Sequence, residues 1–145
     1  DFVVVTMHAG VEYTRKPIGS QVDFARAAVD AGADMVIGAH PHWVQTFERY
    51  NGKYIFYGLG NFVFDQMWSQ DTREGLTLKI SVGKPQLLQG IDSRHADAAA
   101  PVELIGLELV PVVIDNYSTP RLATGSEIST ILNKIGATTT VLSVP

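Results

Sequence analysis

Two apolar runs that each end in histidine, with one helix between them, constrain this chain more than any other feature. Phe2-Val3-Val4-Val5-Thr6-Met7 closes on His8, and Met35-Val36-Ile37 leads into Gly38-Ala39-His40-Pro41-His42-Trp43. Short, Val-rich runs of this kind predict strands buried on both faces, as in a parallel sheet. Residues 9–19, with Gly10, Pro17 and Gly19, read as a loop. Ser20, with Asp23 three residues on, reads as a capping box that opens a helix. Val22, Ala25, Ala28 and Val29 share one face of it, and Gly32 sits where a left-handed residue would end it. Strand, helix, strand implies a right-handed parallel crossover. Both strands then run the same way, so His8 and the His40/His42 pair share one edge of the sheet. Ligands of open α/β sheets bind outside the carboxyl ends of the strands.

The rest of the chain reads differently. Tyr54-Ile55-Phe56-Tyr57 is a third strand after the Asn51-Gly52 turn, and it runs into the loop Gly58-Leu59-Gly60-Asn61-Phe62. Leu76, Leu78, Ile80 and Val82 alternate, as on a half-exposed strand. Leu104–Ile114 reads as a strand pair or one bent strand, and Pro111 argues for a sheet edge. Gly75–Asp115 therefore reads as antiparallel pairing. Residues 83–101, with the Ala96–Ala100 stretch, look irregular, and His95 falls there in no pattern. Thr124 and Glu127 suggest a second capping box, and Ile128, Ile131, Leu132 and Ile135 form a helical stripe that Gly136 ends. The tail from Thr138 reads as a last strand or a loose end.

A chain of 145 residues fits a single domain, 1–145, of α/β class. A net charge of −4 without a basic run gives no footprint for nucleic acid. No stretch has the apolar length of a membrane span, and no signal peptide is visible. Cysteine is absent, so any metal would be held by His, Asp, Glu or Asn. The chain starts at Asp1 directly in a strand, which reads as a piece of a longer protein; a processed N-terminus is the alternative.

Neutral imidazole is the commonest protein metal ligand. His40 and His42, at i and i+2 of an extended segment, would project to one side, with Pro41 stiffening their placement. His8, His40 and His42 are accordingly the candidate metal ligands; loop histidines bonded to backbone are the bland alternative. Glu12 reads as an acceptor for an imidazole N–H, as a general acid/base, or as a solvated loop carboxylate. Asn61 would orient a ligand or substrate oxygen, or serve as a turn residue. Trp43 and Tyr13 could wall the site, and Phe62 reads rather as core. Gly58-x-Gly60 alone is weak as a phosphate loop.

Three blocks of the sequence resemble the bacterial CapA family of poly-γ-glutamate capsule biosynthesis proteins, whose domain is similar to the calcineurin-like metallophosphoesterases. His8-Ala9-Gly10-Val11-Glu12-Tyr13 resembles the family's His-Trp-Gly-x-Glu-Tyr. Gly38-Ala39-His40-Pro41-His42 resembles its Gly-His-His-Pro-His. Tyr57-Gly58-Leu59-Gly60-Asn61-Phe62-Val63-Phe64-Asp65 resembles its Tyr-Ser-Leu-Gly-Asn-Phe-x-Phe-Asp. The resemblance implies the C-terminal half of a metallophosphoesterase-like α/β sandwich. It implies two divalent ions (Mn, Fe or Zn) in the full-length protein, with His8 and His40 on one and His42 on the other.

The superfamily's Asp-x-His, bridging Asp and Asn-His motifs are not in this chain. The missing N-terminal half is therefore an expected partner, and the fragment alone should bind metal weakly and turn over little phosphoester. A homodimer is a further expectation, because an incomplete sheet would expose a strand edge. The substrate expected of the whole is an anionic polymer or a phosphoester, and the parent is expected to be extracytoplasmic and membrane-associated, with this segment soluble. The alternative of another class is a non-catalytic polymer-binding or assembly subunit of capsule synthesis. A Rossmann-like nucleotide binder is a weaker reading, because no glycine-rich turn follows the first strand.

Overall fold

The structure, a computed structural model, describes residues 1–84 and 100–144. His95 and most of the Ala96–Ala100 stretch lie outside the described residues. The element order is β1 (Val4–His8), α1 (Gly19–Asp30), β2 (Met35–Ala39), β3 (Phe47–Tyr50), β4 (Lys53–Phe56), α2 (Gln70–Arg73), β5 (Glu74–Gly83), β6 (Glu103–Asp115), β7 (Thr119–Leu122), α3 (Ser126–Ile135) and β8 (Val141–Leu142). Two sheets result. The first has the order β1-β2-β4-β3, with β1, β2 and β4 parallel and β3 antiparallel to β4. The second is antiparallel, with β6 between β5 on one side and β7 and β8 on the other.

The α/β class and the parallel crossover are as the sequence predicts. The helix α1 starts two residues earlier than expected. Ile18 is its cap residue, and Gln21 rather than Asp23 reaches back, its Oε1 accepting the Ile18 N–H at 3.0 Å. Its far end is a Schellman closure. Gly32 has φ +107°, its N–H donates to Val29 O at 2.9 Å, and Ala33 N–H donates to Ala28 O at 3.0 Å.

Burial alternates along β2 and β4. Val36 and Ile55 pack against α1 with Ala25 and Val29, whereas Met35, Tyr54 and Phe56 face a second cluster containing Leu107, Leu109 and Val113 of β6 and Ile131, Leu132 and Ile135 of α3. These two strands are buried on both faces, as their unbroken apolar runs require. The first strand is not. β1 is an edge strand, and Val3 and Val4 are 46% and 42% exposed, because nothing in the described chain pairs beyond it.

One strand was not expected, and one expectation is corrected. Phe47–Tyr50 forms a strand that its mixed polarity hides, and it pairs with β4 across Asn51-Gly52, whose φ values of +48° and +80° suit a tight hairpin. Leu104–Ile114 belongs to one strand, β6, at the centre of its sheet rather than at an edge. Pro111 is tolerated there for a local reason. Its partner Leu76 donates its N–H away from β6, to Leu59 O at 2.8 Å, so the missing N–H of Pro111 faces the other side. On that side β7 pairs from Val112 onward and β8 at Leu107 and Glu108; between them Ala123 N–H donates to Pro111 O at 2.9 Å, a bond that needs no N–H from Pro111.

Among the described residues, no helix is long and apolar enough to cross a membrane. A cleft of about 480 Å³ opens at the amino end of the first sheet, lined by Phe2, Asp34, Lys53, Tyr54 and Leu104 among others. It contains none of the candidate site residues.

Candidate functional site

The parallel register sets His8 beside Ala39, and Ala9 N–H donates to Ala39 O at 3.1 Å, so the two strands separate just past the histidines. His8 Nε2 then lies 3.1 Å from His40 Nδ1. The rings are tilted by 57°, with centroids 4.9 Å apart. The crossover has done what the sequence implies: residues 32 apart meet at one sheet edge.

His40 and His42 do not project together from an extended segment. Their φ values are +104° and +59°, and the chain bends at each. Positive φ costs a non-glycine residue about 1–3 kcal/mol and persists only where surroundings enforce it. The result sends the two rings to different partners, with centroids 6.3 Å apart. His40 turns to His8. His42 turns to Asn61, whose Oδ1 is 2.8 Å from His42 Nδ1, while its Nε2 lies 3.9 Å from Glu12 Oε1. Tyr13, at φ +60°, is fixed by its N–H to Pro41 O at 2.8 Å and stacks on His42 at 5.9 Å.

Trp43 stands behind Tyr13, at 6.4 Å, with the Arg15 guanidinium 5.3 Å over its ring. Phe62 is 53% exposed and is not a core residue. Its neighbour Phe64 instead lies 4.9 Å from His42, and Trp68 meets Tyr13 edge-on at 4.9 Å. Phe64 and Trp68 extend a rim that sequence reasoning had not included. Phe64 could have been suspected from the block it shares with Asn61.

What holds the bent segments in place is polar and mostly buried. Gln21 and Gln45 are almost fully buried, and Gln21 Nε2 donates to Gln45 Oε1 at 3.1 Å. Gln45 Nε2 in turn donates to the carbonyls of Thr14 and Lys16 at 3.0 and 3.2 Å, so the loop after His8 is tied to the segment after His42. Arg15 in that loop pairs with Asp71 of α2 at 2.5 Å. Lys134 of α3 joins the same carboxylate at 2.5 Å and also pairs with the buried Glu74. Burial pushes the Asp71 carboxyl up, but the Lys134 and Arg15 hydrogen bonds outweigh it and hold its pKa below the ordinary 3.8.

The donor set can be tested against a metal ion. With metal–nitrogen bonds of about 2.0–2.1 Å, two imidazole nitrogens on one ion stand about 2.9–3.4 Å apart. The His8–His40 separation of 3.1 Å falls in that range. His42 fits in another way, since a ligating imidazole engages its second nitrogen with an oxygen. Among the described residues, however, no group of three or more His, Asp or Glu side chains is arranged to hold an ion. Among the described residues two partial donor sets are present, without the carboxylates to complete them.

Comparison with known proteins places this edge of the sheet in a family context. Residues 1–66 match the family model of the bacterial capsule synthesis protein PGA_cap. The chain is 49% identical over 84 residues to the PGA biosynthesis protein CapA of Bacillus subtilis (strain 168), an alignment covering 58% of this chain and 22% of that protein. It is 54% identical over 70 residues to the capsule biosynthesis protein CapA of Bacillus anthracis, covering 48% of this chain and 17% of the relative. The aligned part thus spans about a fifth of the length of these relatives. The matched segment contains His8, Glu12, His40, His42, Trp43 and Asn61. Asp71, Glu74 and Lys134, which brace the Arg15 loop, lie beyond it.

Proposed function

We propose that this chain is part of a capsule-polymer biosynthesis protein and supplies half of a divalent-metal centre for hydrolysis. The 3.1 Å approach of His8 Nε2 to His40 Nδ1 carries the reading. Two nitrogens at this spacing, on separate strands, at the sheet edge where α/β folds bind ligands, are placed to share either a hydrogen or an ion. His8 and His40 would hold one ion and His42 would contribute to a second. Bound ions supply a water of lowered pKa and polarise a phosphoryl or carbonyl oxygen. The chain's own residues do the rest. Glu12, with its carboxylate 46% exposed and facing His42 Nε2, would take up or return a proton. Tyr13, Trp43 and Phe64 would exclude water from one side. The expected substrate class is an anionic polymer or a phosphoester, and the carboxylates needed to bridge two ions would come from a preceding segment of the parent protein.

A second reading keeps the fold and drops the chemistry: a polymer-binding or assembly subunit. The absence of a three-donor cluster among the described residues favours it. The parent protein separates the two. Divalent-dependent hydrolysis of a simple phosphodiester, lost in His40→Ala/His42→Ala, supports the hydrolase. Polymer production unaffected by that double substitution overturns it in favour of assembly.

A further inference from the structure

We infer that Asn61, anchored by Thr72 and Gln66, is a positioning residue that holds His42 in its Nδ1–H form and leaves the Nε2 lone pair as the working end of the ring. The inference deepens the reading of His42 given above and rests on it for its functional meaning.

The Thr72 carbonyl can only accept. The Asn61 atom 2.9 Å from it must therefore be the amide nitrogen, Nδ2. The same nitrogen donates its second hydrogen to Gln66 Oε1 at 3.3 Å. The Asn61 oxygen is left to face His42 Nδ1 at 2.8 Å. An amide oxygen can only accept, so Nδ1 must carry a hydrogen, and in the neutral ring Nε2 is then the unprotonated nitrogen. That nitrogen points toward Glu12.

The anchors are themselves fixed. Thr72 is fully buried, its N–H donates to Ser69 Oγ at 3.1 Å and its Oγ1 donates to Gln66 O at 2.6 Å. Asn61 is 7% exposed. Its backbone is pinned by the close approach of β5: a side chain at Gly75 would put its Cβ 2.0 Å from Asn61 O. Gln66 Nε2 donates to Tyr13 Oη at 3.0 Å, and Tyr13 stacks on His42, so one glutamine steadies both the acceptor of the ring and the face it lies against. A histidine free in water favours the opposite, Nε2–H form, so the network works against the intrinsic preference and its effect is measurable.

The test is the long-range proton–nitrogen correlation spectrum of the metal-free, nitrogen-15-labelled chain, recorded well above the ordinary imidazole pKa of about 6.5. His42 should show a protonated Nδ1 and an unprotonated Nε2. Asn61→Ala should lose that pattern and revert to Nε2–H. Gln66→Ala, at a half-buried position, should give a mixture and serves if Asn61→Ala does not fold. An Nε2–H pattern in the unaltered chain, or unchanged patterns in both alanine variants, overturns the inference. No metal is present in the experiment, so a failure here and a failure to bind metal are separate results.

Discussion

The carboxyl edge of the first sheet and the hairpin of the second use the same unusual backbone for different ends. In the second sheet, positive φ occurs at Asn116 and Tyr117, which simply turn the chain from β6 to β7. Asparagine tolerates that conformation at little cost. At the first sheet's edge the positive-φ residues are Tyr13, His40 and His42, which lie away from any hairpin turn. They are held by contacts from elsewhere: Pro41 O to Tyr13, the buried Gln21–Gln45 pair, and the Arg15–Asp71–Lys134–Glu74 cluster. The comparison teaches that the second sheet and α3 act as a buttress for strained residues they do not themselves contain.

Removing the buttress should have the largest effect. Lys134→Ala leaves the buried Glu74 carboxylate and Asp71 facing each other, and should cost about 3 kcal/mol of stability in urea unfolding. A loss below about 1 kcal/mol would mean the cluster does not brace the edge. A smaller change of opposite sign should come from His40→Gly, which relieves backbone strain and should raise stability by about 1 kcal/mol. Asn116→Gly should stay within about 0.5 kcal/mol, because asparagine itself tolerates positive φ. Equal responses would erase the distinction between the two regions. A further effect is in acid. The folded pKa of Asp71 lies below 3.8, so its contribution is present above that value and is lost as pH falls through the lower folded value. Asp71→Asn should flatten the acid limb of a stability–pH curve below about pH 4 by less than about 1 kcal/mol.

Much of the site was legible because it follows from topology. A parallel crossover must bring strand ends together, so His8 could be set beside His40 from patterning alone. The separate paths of His40 and His42 were not legible, because alternation assumes an extended chain and Pro41 is flanked by two positive-φ residues. Phe47–Tyr50 was missed although Asn51-Gly52 is a strong hairpin signal; Glu48 and Arg49 masked the strand. Pro111 was misplaced at an edge because its tolerance depends on a gap between β7 and β8. Gln66 and Thr72 carry no periodic signal because they act within one irregular loop, and the role of Lys134 arises only when α3 docks.

The most direct measurement is titration of the chain with Zn²⁺ or Mn²⁺, unaltered and as His8→Ala/His40→Ala, followed by calorimetry. The account predicts weak binding by the unaltered chain, with two of its donors 3.1 Å apart, and no binding by the double variant. Identical titration curves for the two would contradict it, because the histidine pair would then have no part in holding an ion.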